Sequence, residues 1–498
     1  MRKWVSTLVP CGFGSSCTQF GRSIPQWPPD PPNMKILVAI ASYGTRNDRY
    51  LAEVIRRYRA MPYTIDLVVL SNIPKEVGPG VKVQVGLPAK DPWSLPFGHK
   101  KLFADNLDNY DLFIYSEDDT PLSERNIEAF LRVSEILPEN EITGFVRSEN
   151  GRDGKRYFCD VFGPFHWDLG TVQKRADYTF AYFTNEHSAC YALTRKQLQR
   201  AIASGGFVVP PHAEKYDLLV TAATDPYTQC GFKKLLCISH LDDFTVPHLP
   251  DKYVGIYGVE VDEFLWQAKT LLSLNGHSNV WPLFAPATKL RAIGYSKDLY
   301  APARKELEEL IPADVKSVLT LGCGQGRTEA WLASLGLRVT AVPLDPVISA
   351  GLASAGVEVI PGNFAAARLA INGRKFDCLL CDYLLHLLPE PGPVLAKFSE
   401  VLSPGGVAIT MVPNVSRIAI TRRKYRGSIP FRDLGDYSKT GVQLTSPRVL
   451  RSWYRQSGLK LERMVEKLPK RRQKAGRLTL GVANSLLAKE FVALGRKV

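Results

Sequence analysis

No apolar run in this sequence reaches the ~18 residues that a membrane-crossing helix requires, which excludes a helical span. Cysteine is sparse and unpatterned. There are nine in 498 residues, an odd number with no set of paired C-x-x-C motifs, which argues against a zinc site and a disulfide framework. The one such spacing, Cys378 and Cys381, falls in an apolar strand, where a free thiol is a small apolar group. This usage points to a reducing, cytoplasmic location. No internal repeat is present, so the length does not come from duplication. Aromatic stacking motifs are missing beside the basic clusters, and the formal charge of +14 therefore does not make nucleic acid the expected partner.

The length exceeds one ordinary core, and two domains are expected. Residues 1–33 are rich in Gly, Ser and Pro without periodicity and read as a disordered leader, with Met34 a candidate start. Two α/β units follow, over 34–274 and 293–465, joined by a linker at 275–292 that holds Gly, Asn, Ser and Pro. The basic excess sits in Arg422, Arg423, Lys424 and Arg426 and again between Lys467 and Arg477. The tail, 466–498, is expected to form a helix over Leu478–Leu494. A basic, partly apolar helix suits peripheral contact with an anionic membrane face.

Val318 to Arg327 carries glycines on alternate positions, Gly322, Gly324 and Gly326, between an apolar strand and a helical pattern. Arg327 stands where a dinucleotide fingerprint has its third glycine, so the loop does not suit a pyrophosphate. A second strand, Leu337 to Leu344, ends on Asp345, an acid placed to meet ribose hydroxyls. Further strands follow at Val357–Ile360, Phe376–Cys381 and Val407–Val412, with a helix expected over Leu395–Leu402. Alternating strands and helices predict a parallel sheet with ligands at its carboxyl edge.

With LTLGCGQGR, AVPLDP, PGNF, FDCLLCDYLLHLLPEP and LSPGGVAITMVPN in order, residues 293–465 resemble the class I S-adenosylmethionine-dependent methyltransferases, which are Rossmann-like. The resemblance implies that Gly322 and Gly324 contact the methionine moiety of S-adenosyl-L-methionine, with Cys323 and Gly326 also in the cofactor site. It implies that Asp345 meets the ribose, Asn363 and Phe364 the adenine, and that Asp382 and Tyr383 mark the donor–acceptor boundary. Tyr295 and Ser296 resemble the start of the family's covering helix. His386 matches a histidine that can serve as general base. Thr320 departs from the acid usual before the first glycine, and Asn363 from the acid usual after the third strand. The whole reading requires an open cleft beside Gly324.

In the upstream unit, Met34 to Ala41 and Asp111 to Ser116 read as buried strands, and Asn47 or Asp48 as the cap of a helix whose Leu51, Val54, Ile55 and Tyr58 share a face. The second strand runs straight into Glu117, Asp118 and Asp119. Three successive carboxylates at the end of a buried strand repel one another, and a divalent cation relieves that cost. Here residues 34–270 resemble the metal-dependent, nucleotide-sugar-binding glycosyltransferases of the A-type fold, an α/β sandwich with an Asp-x-Asp-type motif. The resemblance implies Mn or Mg on Glu117, Asp118 and Asp119, with His240 the first choice for a further ligand and His248 the second. It implies Ser42 and Tyr43 at the nucleotide base, Lys100 near phosphate, and Asp217 or Asp225 as catalytic base. The fusion predicts a bifunctional transferase that adds a sugar and methylates a hydroxyl on a saccharide or lipid-linked acceptor. The alternatives are a small-molecule or lipid methyltransferase with a degenerate upstream unit, and a non-catalytic scaffold.

Overall fold

The computed structural model describes residues 34–274, 288–290, 295–425, 432–469 and 484–498. The leader, most of the linker and the basic stretch 470–483 lie outside them.

The upstream half is built on a five-stranded sheet in the order Cys190–Thr194, Leu112–Glu117, Lys35–Ser42, Thr64–Ser71, Val81–Val85. The last four run parallel, and Cys190–Thr194 closes one edge antiparallel. Ile36–Ile40 and Leu112–Tyr115 are buried on both faces, which is why these strands read as unbroken apolar runs. The helix Asp48–Arg59 buries Leu51, Val54, Ile55 and Tyr58, as its periodicity predicts. Ser123 and Asn126 form a capping box at the start of the helix Glu124–Ile136, directly after the three acids.

Residues 141–260 add two four-stranded sheets that the pattern did not disclose. One orders Glu141–Thr143, Lys233–Cys237, Tyr178–Phe183 and Trp167–Arg175. The other orders Thr245–Pro247, Val146–Asn150, Arg156–Phe158 and Val259–Glu260. Most of these strands are too short, or too interrupted, for a period of two to be legible.

The downstream half holds a seven-stranded sheet: Glu358–Val359, Arg338–Pro343, Ser317–Cys323, Phe376–Asp382, Leu402–Pro413, Glu490–Lys497, Leu459–Lys467. The first five are parallel, and Glu490–Lys497 runs antiparallel to both its neighbours. Two expectations are corrected here. The helix placed at Leu395–Leu402 spans Pro391–Ser399, and Leu402 already begins a strand. The tail is not a helix through Leu494: among its described residues only Asn484–Leu487 is helical, Glu490–Lys497 lies inside the sheet, and residues 478–483 lie outside the described residues. Phe491, Val492 and Ala493 are buried on both faces of that strand, so apolar side chains on successive positions reflect sheet burial rather than a membrane-facing helix. The sheet therefore extends beyond residue 465.

The two halves are not merely tethered. Phe264, Ala268 and Leu271 of the helix Val261–Leu274, with Trp167, belong to the same buried cluster as Leu299, Tyr300, Val347 and Ile348. Arg327 pairs with Glu263 across this boundary at 3.0 Å. Among the described residues no helix is long and apolar enough to cross a membrane, and all seven described cysteines are buried and unpaired.

Candidate functional site

The strand Leu112–Glu117 delivers the upstream acids to the carboxyl edge of its sheet, beside the end of Lys35–Ser42. Ser42 Oγ donates to Asp118 Oδ2 at 2.7 Å, and Asn47 Nδ2 donates to Asp118 Oδ1 at 2.8 Å and Asp119 Oδ2 at 3.3 Å. Asn47 makes no side-chain cap to its helix, because its amide is turned to these carboxylates. His248 bridges the cluster to a second acid: Nε2 lies 3.5 Å from Asp119 Oδ2, and Nδ1 bonds Glu149. Glu149 also accepts from the Tyr253 and Val254 amides at 2.7 and 2.8 Å.

The electrostatics follow from burial. Desolvation, with the neighbouring acids adding to it, pushes the Glu117 carboxyl up to about 8 and that of Asp118 up to about 6. Burial also disfavours charge on Asp119, but the His248 imidazole overcomes it and holds that carboxyl below its ordinary value. Burial opposes the imidazolium of His248 in turn, yet Asp119 and Glu149 raise it to about 9. Arg147, buried and paired with Asp160 at 2.6 Å, supplies further positive potential toward Glu117.

Several expected residues fall elsewhere. The contacts of His240 are Ser239 and the Tyr178 ring, not the acids, and His248 takes the place expected of it. Lys100 is 1 % exposed and forms a buried ion pair with Asp225, which is fully buried, so neither meets solvent or a substrate in this arrangement. Burial pushes the Lys100 ammonium down and the Asp225 carboxyl up, and their mutual attraction offsets part of both shifts. Asp217 caps the helix Leu218–Thr228, accepting from the Val220 amide at 3.0 Å. Tyr43 is half exposed beyond Ser42.

Downstream, Gly322 and Gly326 adopt φ of +75° and +87°, which glycine accepts without strain. Gly324 has a different reason. A Cβ there would lie 2.1 Å from the carbonyl oxygen of Leu299. The bare backbone of the loop is thus approached by the protein itself. The Gln325 amide donates to that carbonyl at 2.7 Å, and the Leu299 amide donates to Gly163 of the upstream half at 2.8 Å. Residues 295–304, expected to begin a covering helix, instead run over the loop without regular structure, and a short 3₁₀ turn follows at Lys305–Glu309.

Asp345 is 2 % exposed, and its Oδ1 accepts from the Val347 and Ile348 amides at 2.8 and 2.9 Å. Burial pushes its carboxyl above the ordinary range. Lys297, also buried, donates to the Asp382 carbonyl and lies 3.2 Å from Asp382 Oδ2, while Arg304 lies 3.4 Å from Oδ1. Burial disfavours the Asp382 carboxylate, but these two cations hold it below its ordinary value. Tyr383 takes φ of +49° and donates its hydroxyl to Glu490 at 2.7 Å. His386 is fully buried with Nε2 2.8 Å from the Tyr295 carbonyl, and desolvation lowers it to about 4, so it is neutral near pH 7. Cys323 is buried at the strand end, and burial pushes its thiol up. Asn363 caps the helix Phe364–Ala370 through the Ala366 amide at 2.9 Å, and Phe364 packs edge-on against Phe398.

A family model described as a methyltransferase domain matches residues 295–463. The downstream half is a class I S-adenosylmethionine-dependent methyltransferase domain. This methyltransferase domain is similar to the ubiquinone biosynthesis O-methyltransferase of Xanthomonas axonopodis pv. citri, 29% identical over 191 residues, which cover 36% of this chain and 76% of that one. It is also similar to the trans-aconitate 2-methyltransferase of Deinococcus radiodurans, 37% identical over 115 residues, or 23% of this chain and 44% of that one. Among solved structures, an S-adenosylmethionine-dependent methyltransferase from Archaeoglobus fulgidus covers 39% of this chain and 91% of its own, at 12% identity and a TM-score of 0.30.

The glycines and acids of the methyltransferase domain line one edge of its sheet, as expected, but the cleft as arranged does not fit the methyl donor. Leu299 covers Gly324, Asp345 is closed over, and the Lys297 ammonium stands at Asp382. A groove of about 430 Å³ remains beside it, between the halves, lined by Glu263, Trp266, Gln325, Arg327, Ile348 and Leu352 among others. Two residues at the cleft escaped sequence reasoning. Lys297 is one lysine among many in the chain, and Glu329 looks like an ordinary first-turn acid yet is buried, its carboxyl raised by desolvation.

Proposed function

We propose that this chain is a two-part transferase acting on one saccharide: the upstream half transfers a sugar from a nucleotide-sugar donor with a divalent cation, and the methyltransferase domain methylates a hydroxyl of the product. The observation that carries the upstream reading is the convergence of Asp118, Asp119, Ser42, Asn47 and His248 at the carboxyl edge of a parallel sheet, the edge where such sheets bind ligands. The donor set suits a hard cation: carboxylate oxygens dominate, and desolvated, mutually repelling acids gain most from a positive ion. Asp118 and Asp119 would hold it, with Glu117 adjacent. The ion would neutralise charge on a departing diphosphate. His248 Nε2 now stands 3.5 Å from Asp119 Oδ2, so its charge competes with the cation for that carboxylate. An oxygen acceptor for the methyl group is supported by the name of the Xanthomonas relative, an O-methyltransferase.

The second reading is a methyltransferase of small molecules or lipids whose upstream half does no sugar chemistry. The burial of Lys100 against Asp225 favours it, since two expected substrate groups are thereby withdrawn. Calorimetry with nucleotide sugars, with and without Mn, separates the two. Binding that requires Mn and disappears in Asp118→Ala and Asp119→Ala supports the glycosyltransferase. No binding of any donor sugar leaves the second reading.

A further inference from the structure

The methyltransferase cleft is closed by this chain's own residues, and the closure has three parts that act together. The carbonyl of Leu299 sits against the face of Gly324 that only glycine leaves bare. Lys297, 4 % exposed, is hydrogen-bonded through its ammonium to Asp382, and its charge also acts on the buried Glu329. Leu299 and Tyr300, 1 % and 4 % exposed, join the apolar cluster that carries Trp167 and Phe264 of the upstream half, and the Leu299 amide is held by Gly163.

A sulfonium nucleoside with an amino-acid arm needs what these groups now use: bare main chain and acidic partners for its positive charge. An ammonium on Asp382 and a carbonyl on Gly324 satisfy those partners from within. The segment that does this has no helix or strand of its own between Tyr295 and Arg304, so it can leave without unravelling a regular element. Its polar ties beyond the segment include the Lys297–Asp382 pair, the Arg304 pairs with Asp382 and Glu490, the two main-chain bonds of Leu299, Arg327 on the Tyr300 carbonyl, the Arg304 amide on Thr328, and His386 on the Tyr295 carbonyl.

We propose that residues 297–304 are a displaceable internal occupant of the donor cleft, so that methyl-donor binding and the contact between the two halves exclude each other. Donor binding then lifts Leu299 from Gly324 and from Gly163 together. By reciprocity, anything that tightens the Gly163–Trp167 segment against the downstream half weakens donor binding by the same factor. The proposal rests on the methyltransferase reading of the downstream half.

The test uses the full chain, with S-adenosylhomocysteine as the probe. Lys297→Met keeps the length and apolar stem of the side chain and removes the cation. Its affinity for the probe, measured by calorimetry, is expected to rise on the order of 5- to 150-fold, the usual span of coupling between two linked sites. Hydrogen exchange on the unmodified chain gives a second readout that does not depend on the variant folding. Saturating probe should speed exchange in peptides covering 161–167 and 297–304, the reverse of the protection a ligand normally confers. Equal affinity in both proteins, or protection of those peptides on binding, overturns the occupant while leaving the methyltransferase intact. No binding by either protein at millimolar probe overturns both.

Discussion

Lys100 is the residue whose role the structure most changed, and replacing it gives the sharpest check. Lys100→Met keeps the apolar stem but removes the ammonium, which pairs with Asp225 and sits 4.4 Å from the Phe97 ring centroid. It leaves the Asp225 carboxylate, which has no exposed surface, with only His212 Nε2, 3.4 Å from Oδ1, as an ionic partner. Breaking a buried ion pair from one side costs about 3–5 kcal/mol, and the remaining His212 contact places this case toward the lower end. Against a typical stability of ~5–15 kcal/mol that is a large loss, and it should lower the urea midpoint by roughly 1–2 M with little change in slope. The pH dependence has a definite sign. Burial already raises the Asp225 carboxyl, and removing Lys100 raises it further. The folded variant therefore binds a proton at Asp225 more readily than the unfolded chain does, and acidification stabilises it relative to neutral pH. The deficit should shrink as pH falls from 7 toward 5. Lys100→Met/Asp225→Leu should recover most of the loss, since two apolar groups replace a pair that burial penalised on both sides. The reasoning fails if Lys100→Met keeps its urea midpoint while losing nucleotide-sugar binding, which would make the lysine a substrate contact after all.

Other outcomes follow from the same geometry. In buffer without added metal, His248 contributes stability that is fully present below its unfolded value near 6.5 and is lost as pH rises through about 9, a change of roughly 3 kcal/mol. Urea titrations at pH 6, 7.5 and 9.5 should show that loss in the native protein and not in His248→Gln. Asn363→Ala removes a helix cap and should cost ~0.5–2 kcal/mol in denaturant melts, with Asn363→Asp restoring it. Phe491→Ala should cost ~3–5 kcal/mol if Glu490–Lys497 is a sheet strand, whereas a solvated tail would show no effect.

What was legible and what was not divides along the range of the interactions. Local patterns carried the two α/β units, because strands such as Ile36–Ile40 and Val318–Leu321 are buried on both faces and announce themselves as apolar runs. Gly322 and Gly326 were legible because a tight strand-to-helix turn requires positive φ, a condition set within a few residues. The three acids were legible because their cost is visible in their adjacency. The sheets between residues 141 and 260 were not, since short strands are defined by partners far away in sequence. The tail strand misled for a related reason: Phe491 to Leu494 are apolar on successive positions, and only the neighbouring Leu402–Pro413 and Leu459–Lys467 strands turn that run into sheet.

The sequence by itself determined that one half carries a methyltransferase sheet with its glycine loop and strand-end acids, and that the other ends a buried strand on three carboxylates. Only the tertiary structure decided which charges meet: His248 rather than His240 at Asp119, Lys100 with Asp225, and Lys297 with Asp382. The physical reason is that turns and runs depend on neighbours along the chain. Ion pairing and the covering of Gly324 by Leu299 depend on a fold that brings residues 25 to 129 positions apart into contact, a separation no local pattern records.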